Sequence, residues 1–141
     1  MTPLQALQQT LAGEHAAVYV YGVLGGRLSS TEQPELMSRF VAAYDTHVAR
    51  RDHVTAQVEA VGAEPVAAEV SYELPNPART PAQLTAIALE TEQRCANVYA
   101  QTVGSTSRAD RRWAVDALVD TAVRQLGFGG RLDEFPGVRE L

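Results

Sequence analysis

A single carboxylate on an otherwise apolar helical seam constrains this chain more than any other feature. Between Leu4 and Leu28, apolar residues recur at Leu4, Leu7, Leu11, Val18, Tyr21 and Leu28. That is the three-and-four spacing of a helix facing a bundle core. Glu14 stands one turn after Leu11 and one turn before Val18, in the middle of the stripe. A carboxylate there must meet a cation, a metal or hydrogen-bond donors, because burying it alone costs too much. The other helices have to supply that partner.

At 141 residues the chain has room for one domain with one core. Its 45% hydrophobic content argues against disorder, and a net charge of −5 gives no electrostatic footprint for nucleic acid or anionic lipid. All twelve basic residues are Arg, which reads as coding bias rather than function. One cysteine, Cys95, leaves no internal disulfide and no Cys-based zinc site. No apolar run is long enough to span a membrane. Met1-Thr2-Pro3-Leu4 lacks the basic region and apolar block of a signal peptide, so a cytoplasmic location is expected.

Four helices are expected, over about 3–28, 34–61, 81–103 and 107–126, with a Gly-rich tail over 127–141 packed loosely on them. Thr2-Pro3 and Thr80-Pro81 each pair an N-cap with a proline suited to the first helical turn. Pro34 opens the second helix and Gly62 closes it. Prolines at 65, 75, 77 and 81 forbid a long helix between Gly62 and Thr80. A connection that long inside a small domain is explained by a crossover along the length of a bundle. Val66 to Leu74 has room for a short extended or helical piece. The connections run short, long, short, which is an antiparallel four-helix bundle with one crossover, the ferritin-like topology.

At about 100° per residue, few charged residues fall inside the apolar arc of any helix. Helix 1 gives Glu14. Helix 2 gives Arg51 at the centre, with His47 one turn earlier and Tyr44 alongside. Helix 3 gives Glu92. Helix 4, with Val115, Leu118, Val119, Ala122 and Leu126 expected inward, gives none, and Trp113 falls outside that arc. His15 and His53 fall off the seams, and Cys95 reads as a small apolar filler.

Ferritin-like carboxylate proteins hold two metals with one Glu on each of two helices and a Glu-x-x-His on each of the other two. Glu14 and Glu92 occupy the two lone-Glu positions. Tyr44-Asp45-Thr46-His47 has the right spacing, but Tyr replaces Glu. The pair on helix 4 is missing. Arg51, with a protonated His47, can supply the positive charge that metals supply elsewhere. The expected cluster is therefore Glu14, His47, Arg51, Glu92 and Tyr44, an ion-pair network in place of a metal centre.

Glu14-His15-Ala16-Ala17-Val18-Tyr19, His47-x-x-Arg50-Arg51-Asp52 and Phe135-Pro136-Gly137 together resemble the actinobacterial ferritin-like domains of unknown function. The likeness spans almost the whole chain. It implies a ferritin-like four-helix fold, often dimeric, with no established activity. Three functional readings remain open. The first is a metal-free, non-enzymatic domain acting as a structural or partner-binding homodimer, with no cofactor. The second is a degenerate metalloprotein holding a single iron or manganese on Glu14, His47 and Glu92. The third is a binder of a small anion around Arg51. Trp113 marks either a dimer face or a seat for the tail.

Overall fold

The structure, a computed structural model, describes residues 1–131. Four helices form: α1 (Pro3–Arg27), α2 (Pro34–Ala60), α3 (Pro81–Ser105) and α4 (Arg108–Gly127). The two Thr-Pro pairs act as read from the sequence. Thr2 Oγ1 accepts from the Gln5 amide while the Gln5 side chain accepts from the Thr2 amide, a complete capping box. Thr80 Oγ1 accepts from the Gln83 amide. Each such cap stabilises its helix by about 1 kcal/mol.

Packing partners fix the directions. Tyr21 meets Phe40 on α2 and Glu92 on α3, while Thr10, about three turns nearer the start of α1, meets Thr102 on α3. Arg50 reaches Thr121, and Gln57 reaches Asp110, so α2 and α4 also run in opposite directions. Every adjacent pair is antiparallel, and α2 and α3 lie parallel on the diagonal. Residues 62–80 make the crossover this requires. The segment follows α1 from end to end: Glu64 at Gln8, Val66 at His15, Tyr72 at Tyr19 and Pro77 at Arg27. It holds no helix or strand, so the short element considered for Val66 to Leu74 does not form. Among the described residues no helix is long and apolar enough to cross a membrane.

The core has an upper part around Tyr21, Leu24, Phe40, Ile87 and Phe128, and a lower part around Leu7, Leu11, Val54 and Val58. Phe128 departs from the expectation of a loosely packed tail. It is 3% exposed and packs on Tyr21 and Phe40, so the chain is anchored immediately beyond α4. Phe135-Pro136-Gly137 lies outside the described residues.

Two helix faces differ from the sequence reading. On α4 the buried residues are Ala114, Ala117 and Thr121, while Val115, Val119 and Leu126 are exposed. Apolar periodicity favours the larger residues, but the inward side carries small ones because long side chains from α2 and α3 fill the space. Trp113 is not a surface aromatic. It is half-buried, edge-on to Tyr99 and stacked on His53 at 5.1 Å. On α2 the inward face is Phe40, Ala43, His47, Arg50, Val54 and Val58. Val41 and Tyr44 lie at its outer edge, 50% and 38% exposed, and they pulled the apparent centre of the arc one residue toward Arg51.

Candidate functional site

Glu14, His47 and Glu92 meet at the centre of the bundle, each essentially inaccessible to solvent. His47 on α2 lies between the two carboxylates. Its Nδ1 is 2.6 Å from Glu14 Oε2 and its Nε2 is 2.9 Å from Glu92 Oε1. With a carboxylate on each ring nitrogen, both nitrogens donate and the ring is an imidazolium. Burial alone pushes the His47 pKa down. The hydrogen bonds and charges of Glu14 and Glu92 outweigh burial and hold it at about 9. Burial pushes the Glu92 carboxyl up, but the bond to His47, its charge and the Tyr21 hydroxyl bring it below its usual range.

Two tyrosines complete the shell. Tyr21 Oη donates to Glu92 Oε1 at 2.7 Å, and Tyr99 Oη donates to Glu14 Oε1. The Tyr21 ring also stacks on the His47 imidazole, with centroids 5.5 Å apart. Burial, then the neighbouring Glu92, raises the Tyr21 phenol well above its ordinary pKa. Burial, then Cys95 and Glu14, does the same for Tyr99. Both therefore stay protonated and remain donors. Cys95 is buried and its thiol is likewise pushed up, chiefly by burial, so it is a neutral filler rather than a nucleophile.

Arg50, in place of Arg51, is the buried arginine of α2. Its Nη1 donates to Tyr99 Oη at 3.2 Å and to Thr121 Oγ1 at 3.0 Å. Its Nη2 donates to Asp120 Oδ2 at 2.5 Å, and its guanidinium carbon lies 5.2 Å from the Tyr99 ring centroid. A hydrogen-bonded chain thus runs inward from the half-exposed Asp120 through Arg50, Tyr99, Glu14 and His47 to Glu92. Arg51 points away and pairs with its neighbour Asp52 at 2.8 Å. Tyr44 stands at the α1 edge, near Gly22, and makes no part of the cluster. Replacing Arg50 by alanine should therefore cost about 2–3 kcal/mol in denaturant unfolding, because it strips donors from buried oxygens. Arg51→Ala should stay within about 0.5 kcal/mol, as a surface pair does. Equal losses for the two would contradict this assignment.

The sequence reading found both carboxylates and the histidine but missed Tyr21 and Tyr99 as their donors. A signal was present. Each Glu is followed seven residues later by a Tyr, Glu14 by Tyr21 and Glu92 by Tyr99. Seven residues are two turns, about 10.5 Å along a helix. In an antiparallel pair that offset places the Tyr of each helix against the Glu of the other, which is the arrangement found.

These residues do not fit a metal centre. A histidine ligand offers a nitrogen lone pair, and both His47 nitrogens face carboxylates. Both Glu14 oxygens accept hydrogen bonds, whereas Glu92 Oε2 is buried with no partner among the described residues. At the same level α4 presents Ala117 and Thr121, neither a suitable ligand. Among the described residues no group of three or more His, Cys, Asp or Glu side chains is arranged to hold a metal ion.

The chain is similar to the crystal structure of a conserved hypothetical protein from Mycobacterium tuberculosis, with a TM-score of 0.83 and 28% identity over 90% of this chain and 94% of that one. It shares its fold with ferritin-like, diiron-carboxylate proteins from Bacillus anthracis str. Ames, with a TM-score of 0.76 and 14% identity over 90% of this chain and 92% of that one. The architecture is thus all-α and ferritin-like. No curated protein matches the chain. The model of a domain of unknown function, DUF4439, matches residues 6–140, and the chain belongs to that family.

Proposed function

We propose that this chain is a metal-independent ferritin-like domain, a non-enzymatic cytoplasmic protein that acts as a structural or partner-binding homodimer. One observation carries the reading: a histidine with a buried carboxylate within hydrogen-bond distance of each ring nitrogen, an arrangement that suits an imidazolium. An imidazolium so placed supplies the charge that divalent ions supply in carboxylate metalloproteins, and Arg50 adds a second cation through Tyr99. The resemblance to actinobacterial domains belongs to the same proposal, supported by the Mycobacterium tuberculosis relative.

One competing reading has an observation in its favour. The free Glu92 Oε2 is a ligand atom to spare, and a single iron or manganese on Glu14, His47 and Glu92 would use it. That reading requires His47 to give up a proton and a carboxylate contact. An anion site at Arg51 has no such support, because Arg51 is engaged with Asp52 on the outside of α2.

Expression with added iron and manganese, purification without chelator and elemental analysis tests the proposal, together with nitrogen NMR of the His47 ring. The expected result is no stoichiometric metal and two protonated ring nitrogens at neutral pH. A stoichiometric metal that disappears in Glu14→Gln, with a His47 nitrogen bearing no proton, would establish the metal-binding reading instead.

A further inference from the structure

We infer that the outer face of α4 is a self-docking surface that takes the α4 of a second copy of this chain, antiparallel to it. The inference rests on the homodimer reading above and names the surface that reading leaves open. Val115, Val119, Ala122 and Leu126 follow one another at steps of four, three and four residues. This is the seam spacing of a helix that pairs with another helix. Among the described residues the bundle does not bury the seam: Val115 is 40% exposed, Val119 57% and Leu126 41%, with Val123 beside them at 62%. The side of α4 that packs on its own bundle is the opposite one, through Ala114, Ala117 and Thr121.

Two features select a second copy and its direction. The stripe is self-complementary about a two-fold axis near residue 120, which sets Val115 against Leu126 of the second copy and Val119 against its Ala122. Charge then selects antiparallel over parallel. The first turns of α4 carry Arg108, Arg111 and Arg112, the wrong sign for the positive end of their own helix. The acid among them, Asp110, is taken by Gln57 of α2. At the other end Arg124 is turned toward α2, donating to Asp120 and Thr46. An antiparallel copy brings its arginine-rich turns beside this negative helix end, and a parallel copy sets arginine on arginine. A 20-residue helix is about 30 Å long. Pairing two such faces sits at the low end of specific interfaces, about 1,200 Å² in total, which gives a weak, concentration-dependent dimer.

Sedimentation equilibrium of the full chain and two variants tests this. Wild type should show a reversible monomer–dimer equilibrium. Val119→Glu should weaken it about a hundredfold, because each dimer would bury two copies of the carboxylate. Its far-ultraviolet spectrum and melting should stay near wild type, since the position faces away from its own core. Val41→Glu, on the outer edge of α2, should dimerise as wild type does. A monomeric wild type overturns both this surface and the homodimer reading, whatever else covers the stripe. A dimer that survives Val119→Glu but is lost in Val41→Glu overturns the α4 surface and leaves the homodimer reading standing.

Discussion

Replacing His47 by alanine is expected to destabilise the folded chain by roughly 3–5 kcal/mol at neutral pH, the cost of stranding buried charge by removing its partner. Domains of this size have only about 5–15 kcal/mol in total, so the variant should melt far below wild type. The reason lies in what remains. Glu14 and Glu92 would face each other across an emptied site, each with a tyrosine hydroxyl and neither with a cation beside it. Protonation of the carboxylates removes the repulsion, so the loss should shrink when unfolding is repeated in mild acid. His47→Gln retains a donor amide without the charge and should fall between the two. Urea unfolding of all three proteins at two pH values measures this. A His47→Ala protein within about 1 kcal/mol of wild type at neutral pH would show that the carboxylates are not charged in the fold.

Alkaline pH should unfasten the same network without any mutation. The His47 imidazole titrates near 6.5 when unfolded and at about 9 in the fold. A raised pKa means the folded state holds a proton that the unfolded state has released, so stability falls as pH rises between these values. The contribution is complete below about pH 6.5. It is lost as pH passes through about 9. The difference corresponds to about 3 kcal/mol. Tyr21 and Tyr99, whose phenols are also raised, extend the loss in the same direction at higher pH. Glu92 and Asp120, both lowered, act with the opposite sign and cost stability only as pH falls through the acid range. The stability maximum should therefore lie in mild acid, above the carboxylate range and below about pH 6.5. Denaturant midpoints taken across the pH range locate it. His47→Gln should lose most of the alkaline slope below pH 9, and a wild-type profile flat from neutral to that point would contradict the imidazolium assignment.

How much of this was present in the sequence depends on how many helices each feature involves. The helices themselves are local. Thr-Pro starts, a proline-barred stretch after Gly62 and runs of three-and-four spacing set four elements with short, long and short connections. A long connection between two helix pairs leaves a bundle with one crossover. Glu14 and Glu92 were legible for a similarly local reason: each interrupts an apolar stripe on its own helix. His47 followed from its spacing to Tyr44 on α2.

Features that depend on how a helix is turned against its neighbours were decided only in three dimensions. One residue on a helix is about 100° of rotation, so a slight bias in the apolar arc exchanges Arg50 for Arg51. Val41 and Tyr44 supplied that bias from the outer edge of α2. On α4 the apolar residues are divided between two faces, and hydrophobicity alone favours the bulkier one. The bundle instead takes the face of Ala114, Ala117 and Thr121, because the Arg50 guanidinium of α2 and the Tyr99 ring of α3 need the room that small side chains leave. The valines are thereby left on the outside. Sequence alone determined that two carboxylates had to be neutralised inside a four-helix bundle. Tertiary packing decided that a histidine between them, two tyrosines and Arg50 would do it, because hydrogen-bond geometry across helices is set by their relative rotation and not by spacing along any one of them.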